Sequence, residues 1–330
     1  MRRRLLLGAA LATPMLAAAR LPRAAAPFPS PVALVVPFTA GGSTDIAARV
    51  LAERMAPRLG PQVRIVVENR AGAGGSVGSD YVRHRSADGT TLLMATASSH
   101  GSNPAALPDR TPYDPVRDFS PVAVVGGGPL VVVVPLNSRF TSIAALLAAL
   151  REQPGRLHWA TSGVGGIGHL TGEAMLARAG GLKAEHVPYR GGAQVMEALA
   201  KGEVDFSLEV LASAAPHLRD GVSRGLAVTG AARHTLLPEV PSLAEAGLDG
   251  FDITTWNVLL GPSGLPKDVL GMLSAAANAA LAEPDVRQRL VAAGVDPAAP
   301  STPASTEAFL RQELAKFQAA VRGAGLKLDG

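Results

Sequence analysis

The sequence predicts an α/β fold of two lobes, each a mostly parallel sheet flanked by helices. From Pro31 onward, short runs rich in β-branched residues alternate with helix-length segments, which is typical of parallel sheets covered by helices. A second set of such pairs follows residue 143, and 330 residues are enough for two cores. Each set contains a strand, a Gly/Ser/Thr loop and a helix start, at 35–45 and at 159–169. This shared design indicates one such unit per lobe.

The order of the elements predicts that the second lobe is inserted in the first. In the first lobe we expect strands at 32–36, 63–67 and 90–95 and helices at 43–59 and 76–85. A strand-rich segment at 122–135 leads to the second lobe, with strands expected at 157–161, 185–188, 204–208 and 225–229 and helices at 143–153, 168–179 and 192–201. Two amphipathic helices, at 266–282 and 306–322, have no strands of their own to cover, so we assign them to the first lobe. The predicted boundaries are 27–131 plus 251–330 for lobe 1 and 132–250 for lobe 2.

The formal net charge of +4 comes from the amino-terminal segment. Five arginines precede Pro27 with no acidic residue among them, and without those five the formal charge is −1. The rest of the chain shows no basic cluster interleaved with aromatic residues, so we predict that it binds no nucleic acid. The chain has no cysteine, which excludes disulfides, thiolate metal sites and cysteine nucleophiles.

Residues 1–26 have the pattern of a signal peptide. Three arginines at 2–4 precede an apolar run at 5–19, interrupted only by Thr13 and Pro14, and small residues follow as cleavage candidates. Arg3 and Arg4 also permit a twin-arginine signal. A membrane anchor is the alternative, but the run is shorter than the roughly 20 apolar residues that span a bilayer. We therefore expect an exported protein, by the Sec or the twin-arginine route, whose mature part is soluble.

The two glycine-rich loops predict an anion site between the lobes. The N–H groups of a helix's first turn have no intrahelical partner, and the helix dipole adds about half a positive charge there. In open α/β sheets such loops lie at the carboxyl ends of the strands, where ligands bind. Two facing loops would hold a carboxylate, with hydroxyl donors from Ser43, Thr44, Thr161 and Ser162. The alternative is that the glycines only form turns and the hydroxyl side chains only cap helices.

Two short motifs leave an exported α/β enzyme as the alternative function. Residues 163–168 fit G-x-G-x-x-G, with Glu185 as the ribose-binding acid of a nucleotide-dependent oxidoreductase, although Glu185 begins its expected strand and that acid belongs at a strand's end. Residues 74–78 fit the G-x-S-x-G of serine hydrolases, with Ser76 as the nucleophile. A nucleophile elbow places its serine directly after a strand, whereas a long loop precedes Ser76.

Metal and acid/base chemistry find little support in the sequence. The seven histidines show no metal-binding spacing, so we predict neither a metal site nor a cofactor. Glu203, Asp205 and Glu209 could form an acid/base set, but carboxylates at the ends of a strand are usually solvated or capping. We predict no catalytic residue.

Six segments, in unbroken order from about Pro31 to the C-terminus, resemble the Bug-type solute-binding proteins, which are extracytoplasmic receptors of tripartite tricarboxylate transporters. The segments are VVPFTAGGSTDIAAR at 35–49, VENRAGAGG at 67–75, PYDPVRDF at 112–119, HLTGE at 169–173, HVPYRG at 186–191 and LPEVPSLAEAG at 237–247. The resemblance implies a two-lobed periplasmic-binding-protein fold of the type II kind. It also implies a monomer in the periplasm that closes on a small carboxylate without catalysis and delivers it to a large and a small membrane subunit.

The resemblance also assigns ligand-binding residues. In the family, the first-lobe Pro-Phe loop and the second-lobe Ser-Gly loop hold a carboxyl group through backbone amides and ordered waters. Two further positions face the cleft: a polar stretch after the third strand and the end of one strand. The residues expected to line the cleft are Phe38, Thr39, Gly41, Gly42, Ser43, Ala97, Ser98, Ser99, Thr161, Ser162, Gly163 and Asp205.

One departure from the family pattern bears on the ligand. Relatives commonly read VDLMFDN where this chain reads VDFSLEV at 204–210, so Glu209 brings a carboxylate one methylene longer near a cleft-lining or hinge position. The identity of the carboxylate ligand is therefore left open by the sequence.

Overall fold

The computed structural model describes residue 28 and residues 30–324, and the predicted signal peptide at 1–26 lies outside the described residues. In the described part the elements follow in the order β1 (Val32–Val36), α1 (Ser43–Leu59), β2 (Ile65–Asn69), α2 (Ser76–Arg83), β3 (Thr91–Thr96), α3 (Asn103–Ala106), β4 (Phe119–Pro135), α4 (Ile143–Glu152), β5 (His158–Thr161), α5 (Ile167–Arg178), β6 (Glu185–Pro188), α6 (Gly192–Ala200), β7 (Phe206–Val210), α7 (Leu211–Arg219), β8 (Ser223–Val228), β9 (Thr254–Pro262), α8 (Lys267–Leu281), α9 (Pro284–Ala292), β10 (Asp296–Pro297) and α10 (Pro303–Ala324). A π-helical turn covers Ser98–Ser102. Within these residues no helix is long and apolar enough to cross a membrane.

The first lobe is built on parallel strands. Strand β1 pairs in parallel with β2 on one side and with β3 on the other, with Leu34 opposite both Val67 and Leu92. Strands β1 and β3 are almost completely buried, as expected for parallel strands covered on both faces by helices. Strand β9 continues the sheet antiparallel to β3, and the first part of β4 pairs antiparallel with β9.

The 17-residue strand β4 connects the two lobes. Its pairing with β9 ends at Pro129, which lies opposite Thr254, and its pairing with β7 begins at Leu130, opposite Val210. Beyond that point β7, β5 and β6 form the second sheet, in which β5 is parallel to both neighbours, while β8 pairs with β4. The change of partner lies within two residues of the boundary expected after residue 131, and the boundary itself stays a prediction.

Helices cover both faces of each sheet. On the first sheet, α1, α8 and α9 share one hydrophobic core, and α2 and α10 contribute to another. On the second sheet, α4 and α5 share one core, and α6 and α7 share the other. The buried side chains of these helices include Leu51, Leu273, Leu290, Val82, Leu310, Leu146, Met175, Met196 and Leu211. The carboxyl-terminal helices thus pack on the first sheet, far in sequence from its first strands.

Several elements differ from the sequence prediction. The strand expected at 204–208 runs over Phe206–Val210, and β9, α7 and α9 were not expected. Strand β9 was missed because its residues follow a turn-rich stretch, and α7 because it begins directly after β7 and contains Pro216.

Candidate functional site

The carboxyl ends of four strands meet at a cavity of about 40 Å³ between the lobes. Strands β1 and β3 approach it from the first lobe, and β5 and β7 approach it from the second, as expected for ligand sites of open α/β sheets. The residues that line the cavity are Phe38, Gly42, Ser43, Thr44, Thr96, Ser98, Ser162, Gly166, Ile167, Gly168, Gly192, Glu209, Val210, Ser213 and Thr255. No lysine or arginine is among these lining residues.

Four helices begin at this cavity. The N-caps of α1, α5, α6 and α7 are Gly42, Gly166, Gly191 and Val210, and none of these residues caps its helix with its own side chain. The first amides of α1 and α5 instead donate across the cleft, to Ser213 Oγ and Ser98 Oγ. Each helix has nine residues or more. Because first-turn N–H groups lack intrahelical partners and the helix dipoles add positive potential, the cavity is electrostatically suited to an anion without a cationic side chain.

The first-lobe loop is held in shape by Asp45. Its Oδ2 accepts a hydrogen bond from the Gly41 amide at 3.0 Å, and Arg49 donates two hydrogen bonds of 2.9 Å to its carboxylate. Burial would raise the pKa of Asp45, but the hydrogen bonds from Arg49, Gly41 and Asn69 outweigh burial and lower it. Gly41 has φ of +82°, a left-handed conformation that favours glycine. Asp45 is therefore an ionised residue that positions the loop.

Ser98 and Ser99 follow β3 but have different roles. Ser98 lines the cavity, and its Oγ accepts a hydrogen bond of 3.0 Å from the Ile167 amide at the start of α5 in the other lobe. Ser99 is fully buried, and its Oγ bonds to the Thr96 amide at 3.1 Å and to His100 Nδ1 at 2.9 Å. Ser98 thus belongs to the interlobe contact, whereas Ser99 stabilises the turn beneath it.

In the second-lobe loop, Ser162 lies in the cavity and Thr161 lies below it. Thr161 Oγ1 is hydrogen-bonded to His186 Nε2 at 2.7 Å, and His186 stacks on His169 with ring centroids 3.9 Å apart. Burial lowers the pKa of His169 to about 3, with a further contribution from His186, and lowers the pKa of His186 to about 4. Both imidazoles are therefore neutral near pH 7 and support the loop without adding charge.

Glu209 is the one titratable residue that lines the cavity. It is 4% exposed, its Oε2 accepts a hydrogen bond from Ser162 Oγ, and its Oε1 accepts one of 2.9 Å from the Val210 amide. Burial raises the pKa of Glu209 to about 7, against the two hydrogen bonds, which favour the ionised form.

The structure brings together part of the expected set. Phe38, Gly42, Ser43, Ser98 and Ser162 line the cavity, and Gly163 lines the adjoining pocket. The remaining first-lobe positions do not line either space: Thr39 and Gly41 lie in the loop, and Ala97 and Ser99 are fully buried.

Asp205 is not at the cleft, which corrects the expectation for this residue. It precedes β7, so it lies at the amino end of the strand, where its Oδ2 accepts a hydrogen bond of 2.8 Å from the His158 amide at the start of β5. The cavity is at the carboxyl end of the same strands. The carboxylate that reaches it is Glu209, in agreement with the expectation that Glu209 lies near a cleft-lining or hinge position.

Residues at the second-lobe helix starts were missed by the sequence analysis. They are Gly166, Ile167, Gly168, Gly192, Val210 and Ser213, together with Thr96 and Thr255 on lobe 1 strands. For α6 the sequence does contain a signal for a cavity-lining helix start, because the predicted helix at 192 follows the expected strand 185–188 after a short loop. The start of α7 carried no such signal, since β7 was expected to end earlier.

A wider pocket of about 350 Å³ adjoins the cavity at Ser162, which lines both. Its walls come from both lobes and include Leu107, Val164 and Tyr189. Exposed Arg110 of lobe 1 and Arg190 of lobe 2 also line it, and neither guanidinium forms an ion pair with any residue of the described part. Cavity and pocket together make an elongated space.

The two enzyme motifs lack the partners that their chemistry needs. The Ser76 hydroxyl is buried and bonds to Asn103 Nδ2 at 3.2 Å and to the Tyr113 hydroxyl at 3.4 Å, rather than to a histidine. Glu185 is exposed at the amino end of β6, away from the strand ends that meet the cavity. Among residues 28 and 30–324, no cluster of three His, Cys, Asp or Glu side chains could hold a metal ion.

Comparison with known proteins gives consistent matches over nearly the whole chain. The family model "TctC: Tripartite tricarboxylate transporter family receptor" matches residues 47–326. A UPF0065 protein from the tcbD-tcbE intergenic region of Pseudomonas sp. (strain P51) is 41% identical over 298 residues, which are 89% of this chain and 86% of that protein.

Two solved structures show the same architecture. Rpa4515 of R. palustris, solved with adipate, matches with a TM-score of 0.85 and 32% identity over 90% of this chain and 98% of that chain. The periplasmic binding protein BugD matches with a TM-score of 0.85 and 29% identity over 90% of this chain and 99% of that chain. The expected periplasmic-binding-protein fold and the Bug-type resemblance are thus confirmed, and the chain belongs to the Bug-type, or TctC, family of tripartite tricarboxylate transporter receptors.

Proposed function

We propose that this protein is an exported, monomeric receptor that encloses a small carboxylate between its lobes, without converting it chemically. It then hands the carboxylate to the large and small membrane subunits of a tripartite tricarboxylate transporter. The observation that carries the proposal is the convergence of four helix starts, none capped by the side chain of its own N-cap residue, on one interlobe cavity. Backbone N–H groups at such helix starts bind carboxylates directly.

The adjoining pocket supports a ligand longer than a single carboxyl group. A cavity of about 40 Å³ holds little more than the carboxylate end of such a molecule, whereas the pocket of about 350 Å³ has room for its body. Arg110 and Arg190 at this pocket favour a second anionic group there. A short dicarboxylate fits this arrangement, and the related Rpa4515 was solved with adipate.

Contacts across the cleft support lobe closure around the ligand. The Ser43 amide of lobe 1 donates a hydrogen bond of 3.2 Å to Ser213 Oγ of lobe 2, and the Ile167 amide of lobe 2 donates one of 3.0 Å to Ser98 Oγ of lobe 1. A ligand that contacts both lobes favours the closed state by its differential affinity for that state.

We expect one carboxylate per chain to bind with compaction of the protein. The test is a thermal-shift screen of mono-, di- and tricarboxylates that includes adipate, because a ligand at 100 times its Kd adds about 2.7 kcal/mol to the free energy of unfolding. Small-angle scattering with the best carboxylate should then show a smaller radius of gyration. Adipamide, which has no charge, is the matched control and should give no shift. If no carboxylate stabilises the protein, or if the scattering profiles with and without ligand superimpose, the proposal is wrong.

Replacing Ser76 with Ala tests the hydrolase alternative. Ser76 lines the adjoining pocket, but its hydroxyl is bonded to Asn103 and Tyr113, so the variant should lose about 1 kcal/mol of stability and keep carboxylate affinity within about threefold. Calorimetry measures the affinity, and mass spectrometry after treatment with a serine-directed phosphonate checks reactivity. A covalent adduct on Ser76 in the wild-type protein would instead favour the hydrolase.

A further inference from the structure

Glu209 places a carboxyl group inside the cavity proposed to receive the ligand's carboxylate. It is the fourth residue of β7, and its side chain reaches Ser162 at the end of β5 and the Val210 amide at the start of α7. The start of α6 leaves room for it, because a Cβ on Gly192 would lie 3.0 Å from Glu209 Cδ. Three second-lobe elements thus surround this carboxyl group.

No cationic side chain in the described part of the chain pairs with Glu209. Strand β4, whose Val131 lies opposite it, carries no titratable residue. On the other elements around it, the titratable side chains toward the cleft are Asp45 and Arg49 on α1, His169 and Glu173 on α5, and His186 on β6. The titratable side chains of β5, α6 and α7 lie toward the ends of these elements that point away from the cleft. They are His158, Glu197, His217 and Arg219.

The groups toward the cleft supply no free positive charge to Glu209. The Arg49 guanidinium is paired with Asp45 at 2.9 Å. Burial keeps the pKa of His169 at about 3 and of His186 at about 4, so both rings are neutral near pH 7. Hydroxyl and amide dipoles are therefore the main stabilisers of an ionised Glu209, and burial already raises its pKa to about 7.

A ligand carboxylate in the same cavity would add a second negative charge beside Glu209. Like charges in a buried site disfavour each other's ionised forms, so the ligand should raise the pKa of Glu209 further. A neutral carboxylic acid, unlike a carboxylate, has an O–H that can donate a hydrogen bond. Protonation thus removes the repulsion and supplies a donor.

We propose that Glu209 takes up one proton when a carboxylate enters the cleft and, as a neutral acid, donates a hydrogen bond to the ligand's carboxylate. Glu209 is then a specificity-determining residue that selects ligands presenting an anionic acceptor, and each bound anion carries one proton with it into the complex. This inference rests on the proposed function.

The expected result is a pH-dependent Kd for adipate, or for the carboxylate of the same series that gives the largest thermal shift. Near pH 6 free Glu209 is already mostly neutral, so its titration adds little to Kd there. Above pH 7 each ligand must bring a proton, so Kd rises toward tenfold per pH unit, roughly 50-fold between pH 7 and pH 9. Adipate is fully ionised over this range, so its own titration does not contribute.

Glu209→Gln should remove this dependence. Glutamine has nearly the same shape and keeps a donor, so its Kd should change less than about threefold from pH 6 to pH 9. Glu197→Gln is the matched control, because Glu197 is exposed on α6 and paired with Lys201, and it should keep the wild-type profile. Calorimetry in two buffers of different ionisation enthalpy should show close to one proton taken up per ligand at pH 8.5 in the wild type and none in Glu209→Gln.

The proton count in the wild type decides the question even if Glu209→Gln does not fold. Binding with no proton uptake and with equal Kd at pH 6 and pH 9 would overturn the inference and leave the proposed function intact. A Kd that falls with rising pH would show that the ligand prefers the ionised form of Glu209, which overturns the inference as well. If no carboxylate binds at any pH, the proposed function fails and this inference fails with it.

Discussion

Gly191→Ala is expected to weaken carboxylate binding at least about tenfold while the ligand-free protein keeps its stability. Gly191 has φ of 175°, an extended conformation open to any residue, so alanine adds no backbone strain. A Cβ at this position would overlap Thr39 Oγ1 of the other lobe and would lie 3.2 Å from the Thr39 amide nitrogen. The overlap exists only when the lobes are closed, so the substitution penalises the closed, binding-competent state. A tenfold loss corresponds to about 1.4 kcal/mol.

The double variant Gly191→Ala with Thr39→Ala provides the internal control. Removing the Thr39 hydroxyl relieves the largest overlap, so calorimetry should show most of the lost affinity restored. Scattering should show that Gly191→Ala alone stays more expanded than the wild type at the same ligand concentration. Wild-type affinity in Gly191→Ala would contradict the closed arrangement of Thr39 against Gly191 as the ligand-bound form.

Gly42→Val is expected to lower affinity at least about 100-fold. Gly42 lines the cavity and is the N-cap of α1, with φ of −78° and ψ of 170°, so its backbone does not require glycine. A Cβ there would make ordinary contacts, 3.6 Å from the Thr39 carbonyl oxygen and 4.0 Å from Ser213 Oγ. The two further methyl groups of valine must occupy space in a cavity of only about 40 Å³.

The series Gly42→Ala, Gly42→Val and Ser43→Ala separates backbone from side-chain recognition. Alanine at 42 should bind within a few fold of wild type, because its Cβ has room. Ser43→Ala removes at most one hydroxyl hydrogen bond, so its loss should be about 0.5–1.5 kcal/mol, or up to about 3 kcal/mol if that bond goes to the charged carboxylate. Calorimetry gives the affinities, and thermal unfolding confirms that each ligand-free variant folds. Tight binding by Gly42→Val would show that the carboxylate lies elsewhere than beside the α1 start.

Gly41 and Gly42 are glycines for different structural reasons. The sequence alone does not reveal this difference. The GG pair indicates close approach of the backbone to an anion but does not say which glycine has the special conformation. In the structure Gly41 adopts positive φ and donates its amide to Asp45, while Gly42 has ordinary dihedral angles and faces the cavity. The difference follows from the Asp45 hydrogen bond, a contact four residues along the chain.

By itself, the sequence determined the α/β class, most strands and helices, and the loops that line the interlobe cavity. These follow from local rules, because side-chain periodicity sets the type of element and Gly/Ser/Thr loops before helices create unpaired N–H groups. The loop argument placed Ser43, Thr44 and Ser162 at the cavity, and the family resemblance added Phe38, Gly42 and Ser98.

Only the tertiary structure decided that Asp205 lies away from the cleft, whereas the sequence already placed Glu209 near it. The run at 204–210 has no clear alternation, since every residue of β7 is buried, and its ends are set by pairing with β4 and β5, which are distant in sequence. That pairing puts Asp205 at one end of the strand and Glu209 at the other. The contact of Thr39 with Gly191 likewise depends on how the lobes close, because two surfaces about 150 residues apart in the chain meet only in the folded molecule.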